Sequence, residues 1–264
     1  MSYEFEVDFY GFKYPGNLNS FLDWSVYFYG AYSKHELFLL KDLICELDKD
    51  SIFVDVGANV GNHALYMSRF AEKVYAFEPY EVVRSKLEEK ILINNIKNIE
   101  VIPVGLGIED SEMDYFAPVS HNLGTGSFMT SHAEGSNSYY GKLKLVKGDN
   151  YFIKNIPRVN LMKIDVEGFE SYVLLGLKNN LYINRPIIYM EFSDTTRRSF
   201  KSFDELKKCI PDNYNIIGVT FGRGLLTHLG KPYILSEFKF DKPTENILFL
   251  PTELYSVIYN KLCC

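Results

Sequence analysis

Three apolar runs in this chain each stop at a carboxylate, and those three stops carry most of its candidate chemistry. The first is Ser51-Ile-Phe-Val-Asp-Val-Gly-Ala-Asn-Val-Gly61, which meets Asp55 and then a turn of glycine and asparagine. The second, Lys73-Val-Tyr-Ala-Phe-Glu-Pro79, ends at Glu78 and Pro79. The third, Val159-Asn-Leu-Met-Lys-Ile-Asp-Val-Glu-Gly-Phe-Glu170, ends at Asp165 and enters an acidic, glycine-containing turn. Gly57 and Gly61 suit backbone with unusual dihedrals, or backbone that a ligand must approach without a Cβ in the way. Asp55 can address the turn or a cation held above it. Glu78, at the carboxyl end of a neighbouring strand, can accept both hydroxyls of a ribose. Together these residues describe a pocket for a nucleoside-like ligand.

A dinucleotide enzyme uses the same ingredients, so spacing decides. Its fingerprint, G-x-G-x-x-G, brings a helix amino terminus onto a pyrophosphate. Here the stretch reads Gly57-Ala-Asn-Val-Gly-Asn62, with Asn59 in the second position and Asn62 in the third. The order D-x-G-x-N-x-G followed by h-x-x-h-E-P instead resembles the Rossmann-like S-adenosylmethionine-dependent methyltransferases. The third motif makes the resemblance specific: Asp55 to Gly61, Phe77-Glu-Pro79 and Lys163-Ile-Asp-Val-Glu-Gly-Phe-Glu170, in this order, look like the FkbM-type methyltransferase family. The likeness runs from about Tyr32 to Phe192, with a weaker echo to Leu250, and K-I-D-V-E-G is its most discriminating piece. It implies S-adenosylmethionine as cofactor and O-methyl transfer to a hydroxyl of a sugar, glycan or natural product. It also implies cofactor contacts from Asp55, Gly57, Asn59, Gly61, Asn62, Glu78, Pro79 and Asp165, with Glu109 placed to meet the adenine amino group.

Methyl transfer from a sulfonium is an in-line displacement, so the protein must align an oxygen with the methyl carbon and keep water out. A sugar hydroxyl also needs a base as the new bond forms. Asp165 and Glu191 both stand at strand carboxyl ends and are the leading candidates. In one version Asp165 and Glu191, with Glu167 or Asp194, hold a divalent cation; oxygen ligands would suit magnesium. In the other, Asp165 or a histidine is the direct base, with His121, His63 and His228 available. The competing reading of Glu167-Gly168 is a helix-start acid favoured by the macrodipole. The competing reading of Glu109 and Asp110 is a solvated turn.

At 264 residues the chain suits one α/β domain spanning 1–264. Short apolar strands alternate with amphipathic segments, predicting a Rossmann-like, seven-stranded, mostly parallel sheet with helices on both faces. The predicted order is a helix over Lys34 to Leu47, a strand at Ile52–Val56, a helix from Gly61, a strand at Val74–Phe77, a helix over Glu81–Asn94 and a strand at Glu100–Val104. Residues 105–150 read as an insertion with short strands near Met113–Phe116 and Lys142–Val146. Beyond the third motif come a helix over Ser171–Leu177, a strand at Ile187–Phe192, a helix opened by the capping box Ser202-Phe-Asp-Glu205, and a closing antiparallel pair, Tyr214–Val219 with Asn246–Leu250. Residues 1–33 form an aromatic cap, either an apolar flap on the sheet or a stacking surface for sugar rings.

A net charge of −6 and the lack of a basic stripe argue against nucleic acid as partner. The four cysteines have no metal-ligand or disulfide spacing. With no secretory pattern and no long apolar run, a cytoplasmic protein without a membrane anchor is expected. Cys263-Cys264 has the form of a prenylation signal but no polybasic neighbour. The acceptor is then a small molecule or glycan, and a homodimer stays open. The alternatives from other classes are an NAD-dependent oxidoreductase or epimerase and a non-catalytic Rossmann-like scaffold.

Overall fold

The computed structural model describes residues 3–118, 125–129, 137–221, 232–241 and 246–263. An antiparallel hairpin of β1 (Glu4–Phe9) and β2 (Phe12–Asn17) leads into α1 (Phe21–Tyr29) and α2 (Lys34–Cys45). Then follow β3 (Ile52–Val56), α3 (Asn62–Met67), β4 (Lys73–Phe77), α4 (Glu81–Ile93) and β5 (Ile99–Ile102). The insertion contains β6 (Gly105–Gly107), β7 (Ser111–Pro118) and β8 (Asn137–Lys147), before α5 (Gly148–Asn155). The next units are β9 (Leu161–Ile164), α6 (Glu170–Gly176), α7 (Lys178–Asn184) and β10 (Ile187–Glu191). The chain closes with α8 (Asp194–Phe200), α9 (Phe203–Lys208), β11 (Tyr214–Phe221), β12 (Tyr233–Glu237), β13 (Asn246–Pro251) and α10 (Thr252–Cys263).

The main sheet has eight strands, in the order β12-β11-β13-β10-β9-β3-β4-β5, where seven were expected. From β10 to β5 all pairings are parallel, while β13 runs antiparallel between β10 and β11. The predicted closing pair is therefore present, and the additional strand is β12, antiparallel on the outer edge of β11. It escaped the sequence reading because a short edge strand with mixed burial lacks the continuous apolar run of its central neighbours.

Side chains alternate between two apolar layers. Phe53, Leu161, Ile187 and Leu248 join α2, α3 and α10 in one. Val54, Met162, Ile188 and Phe249 join α5 through α9 in the other. On the first of these faces the alternation carries Asp55, Lys163 and Tyr189 into one row. Asp55 pairs in register with Lys163, and Lys163 with Tyr189. This polar row under α2 is the main departure from an otherwise apolar sheet.

The aromatic cap divides. Phe9 and Tyr14 are fully buried in the layer with α2, and the Tyr14 hydroxyl donates to Asp23 Oδ1 at 2.9 Å. Phe21, Tyr27, Phe28 and Tyr29 on α1 are exposed. The predicted insertion strands fall inside the longer β7 and β8, which form a separate sheet in the order β6-β8-β7. The capping box forms by half: Ser202 Oγ accepts from Glu205 N at 3.2 Å, while the Glu205 carboxylate turns to Lys208. No helix among the described residues is long and apolar enough to cross a membrane.

Candidate active site

The glycine turn is shaped by backbone. Where β3 ends, Gly57 has φ 80°, and a Cβ there would lie 1.9 Å from the Asp165 carbonyl oxygen. The first and third motifs therefore touch through main chain, and only glycine permits it. Gly61, at φ 90°, is closed off by Leu87 of α4, whose Cδ1 would meet an added Cβ at 2.3 Å. Between them Asn59 also takes a left-handed φ of 52°.

Glu78 locks this turn to the next strand. Its Oε2 accepts from Asn59 N and its Oε1 from Tyr80 N, each at 2.8 Å. One N–H on each oxygen fixes the carboxylate and leaves further lone pairs for a diol. Burial pushes the Glu78 carboxyl up to about 7, against the two backbone N–H groups that pull it down.

Above the turn opens a cavity of about 720 Å³, part of it continuous with solvent. Gly57, Asn59, Asn62, Glu78, Pro79 and Asp165 all line it. Asp55 lies behind the wall, fully buried, with Oδ1 on Lys163 Nζ at 3.2 Å. Gly61 likewise supports the turn without lining the cavity. Glu109 sits on the exposed turn between β6 and β7, away from the cavity, and Asp110 beside it accepts from Lys147 N. The residues present fit a nucleoside with a free ribose diol. Glu78 supplies the acceptors, Asn62 offers a buried Oδ1 with no hydrogen-bond partner among the described residues, and Tyr115 and Phe128 add an aromatic wall. Those two aromatics come from the insertion and carry no sequence signal of their own.

Lys163 is a lysine at 2% exposure in the middle of a buried strand, a placement that requires partners. Its ammonium lies 3.2 Å from Asp55 Oδ1, 3.2 Å from the Gly57 carbonyl and 3.4 Å from Asp165 Oδ2. Burial alone would lower its pKa, but Asp55, Asp165 and Glu36 together outweigh that and raise it. Lys163 thus ties the glycine turn to the end of β9.

A second cavity, of about 610 Å³ counted out to solvent, adjoins the first and shares Tyr32, Lys163 and Asp165 with it. Its other walls include Glu36 from α2, Tyr189 and Glu191 from β10, and Asn246, which pairs in register with Glu191. Glu36 bonds His63 of α3 at 3.1 Å across the boundary between the cavities. Burial pushes Glu191 far up, and the neighbouring Asp165 and Glu167 add to it, so Glu191 holds a proton at neutral pH. Burial also raises Glu167, which lines the first cavity in a left-handed conformation of φ 51°. The helix-start position belongs to Glu170, whose Oε1 accepts from Val166 N and Gly168 N.

The candidate cation site does not fit. Among the described residues no three His, Cys, Asp or Glu side chains are arranged to hold a metal ion. The Lys163 ammonium already faces Asp165, and Asp194 is exposed on α8 and paired with Arg197. His121 and His228 lie outside the described residues.

A model of the methyltransferase FkbM domain matches residues 55–215. The hexuronic acid methyltransferase AglP of Haloferax volcanii is 33% identical over 144 residues, 54% of this chain and 56% of that protein. Methyltransferase 1 of Beauveria bassiana is 29% identical over 198 residues, 66% of this chain and 80% of that protein. A solved FkbM methyltransferase from Methylobacillus flagellatus KT shares the fold at a TM-score of 0.50 and 15% identity, covering 77% of this chain and 44% of that one. The chain thus spans little more than half the length of AglP and less than half of the Methylobacillus protein. Because the family model takes in the glycine turn, Glu78 and the whole Lys163 to Glu170 segment, the chain belongs to the FkbM methyltransferase family.

Proposed function

We propose that this chain binds S-adenosylmethionine in the first cavity and transfers its methyl group to a hydroxyl of a sugar, glycan or natural product. The observation that carries the reading is the position of Asp165. Among the described residues it is the one carboxylate that lines both cavities. Bound S-adenosylmethionine supplies an electrophilic methyl on a sulfonium. Glu78 would hold the ribose, the glycine turn and Asn62 would border the methionine moiety, and the Tyr32 and Lys163 walls would limit water between the cavities. With both bound, the acceptor oxygen would displace sulfur at the methyl carbon, the carbon–sulfur electron pair leaving with sulfur. The hydroxyl proton passes to the Asp165 carboxylate, which Lys163 orients. Glu191, already protonated, serves as a hydrogen-bond donor to the acceptor and not as the base.

The relative named for a hexuronic acid supports a sugar as acceptor. Calorimetric titration with S-adenosylmethionine, S-adenosylhomocysteine and NAD tests the cofactor. Micromolar binding of the first two and none of NAD is expected; NAD binding alone would return the glycine turn to dinucleotide chemistry.

A further inference from the structure

Resting on that reading, we propose that the second cavity seats the acceptor and selects an uncharged polyol, such as a pyranose face with adjacent free hydroxyls, while rejecting a carboxylate at the same position. Among the described residues, two buried polar atoms in its wall have no hydrogen-bond partner. The Tyr189 hydroxyl, on a residue 1% exposed, lies beside the Glu36 carboxylate, and neither it nor Glu191 Oε2 has a hydrogen-bond partner among the described residues. Buried orphans of this kind are costly, so their presence together in one cavity marks where a ligand's polar groups belong.

The chemistry they ask for is specific. A phenol donates and accepts, and a carboxyl does either according to its protonation. A sugar hydroxyl also donates and accepts, so an adjacent pair answers both orphans at once. The remaining wall sets the charge. Glu36 and Asp165 converge on the cavity, one from α2 and one from the end of β9, while protonated Glu191 adds a polar group without charge. Among the described residues, the cations near them are committed. Lys163 has three N–H groups and three acceptors in Asp55, Gly57 and Asp165. His63 faces Glu36, and the His35 ring lies 3.6 Å from that of Phe221. An incoming carboxylate would bring its charge toward Glu36 and Asp165, with no uncommitted cation among the described residues of the wall to meet it. This separates the chain from its relative named for a hexuronic acid, a sugar that bears a carboxyl group.

The test pairs sugars that differ only in oxidation at C6. Saturation-transfer NMR with the wild-type protein and S-adenosylhomocysteine would compare methyl glucopyranoside with methyl glucuronide, and methyl galactopyranoside with methyl galacturonide. At least one neutral sugar is expected to bind, with its uronide weaker on the order of a hundredfold, since like-charge juxtaposition costs several kcal/mol. The variant Glu36→Gln is expected to narrow that gap to about tenfold or less. A uronide binding as well as its neutral partner overturns the proposal. So does failure of every sugar while S-adenosylhomocysteine still binds, which leaves the cofactor reading standing. Failure of S-adenosylhomocysteine itself overturns both.

Discussion

Around Gly57 the cavity wall is main chain: a carbonyl, two N–H groups on one carboxylate, and a left-handed asparagine. Around Lys163 the wall is side chain, and its members, Tyr189, Glu36 and Glu191, with Asp55 behind them, meet only because strands pair in a particular register and α2 lies across them. A backbone-built wall is specified locally, by residue types that alone tolerate the conformation. A wall built of side chains is specified by the whole fold, and its energetics are those of buried charge.

The comparison breaks first at Gly57. Gly57→Ala places a Cβ 1.9 Å from a backbone oxygen that belongs to another strand end, where no flexible side chain can yield. A loss of roughly 4 kcal/mol or more is expected in urea unfolding. Gly30, at φ 80° with nothing within 4 Å of an added Cβ, is the control. There Gly30→Ala carries only the left-handed penalty, about 1 kcal/mol. Equal losses at the two positions would mean that contact between the motifs is not what fixes the turn.

Next comes the side-chain wall. Lys163→Met strands a fully buried Asp55, and removing one member of a buried pair costs roughly 3–5 kcal/mol. Adding Asp55→Leu to Lys163→Met should recover part of the loss, because replacing both charges by apolar groups avoids the stranded one. A double-mutant cycle by thermal and urea unfolding measures this, and strict additivity would show that the two residues do not act as a pair.

Glu78 belongs to both kinds of wall, since a side chain there holds backbone in place. Its folded carboxyl, raised by burial from 4.5 to about 7, binds its proton more tightly than in the unfolded chain. The group therefore opposes folding increasingly as pH rises from 4.5 to 7, and the ligand-free protein gains from Glu78→Gln at pH 8 but not below pH 4.5. Cofactor binding is expected to run the other way, because the ionised form would accept both ribose hydroxyls. Affinity for S-adenosylhomocysteine is expected to rise between pH 6 and 8. Glu78→Gln should abolish that rise and weaken binding at pH 8 by about tenfold to a hundredfold, the worth of a hydrogen bond to a charged group. A calorimetric profile unchanged by the substitution would remove Glu78 from the ribose.

These contrasts explain what the sequence disclosed. Gly57, Asn59, Glu78 and Asp165 announce themselves because a strand-to-helix turn of this shape admits few residue types at fixed spacing. The parallel strands were legible as continuous apolar runs. Lys163 stood in plain view within the third motif, yet its burial follows from Asp55 lying opposite it in register, more than a hundred residues earlier in the chain. Glu36 and Tyr189 had no local signal at all. Each looks like an ordinary helix acid or strand aromatic until α2 is laid over the ends of β9 and β10. Strand β12 and helix α7 were missed for the related reason that short, partly exposed elements lack a clean period.

The smallest effect is the sharpest check on reasoning by motif alone. Glu109 follows β5 by only a few residues, the place where the family resemblance puts an adenine contact, but β6 intervenes and carries the acid onto an exposed turn. Tyr115, Phe128, Val83 and Pro79 supply the apolar wall on which an adenine ring would rest. Glu109→Ala should therefore leave S-adenosylhomocysteine affinity within about twofold, as surface changes away from a site usually do. Tyr115→Ala, which removes an aromatic wall, should weaken it by roughly tenfold or more. If the order of the two effects were reversed in the same titration, the adenine end would be read by a carboxylate after all, and spacing in the sequence would have located it better than the fold.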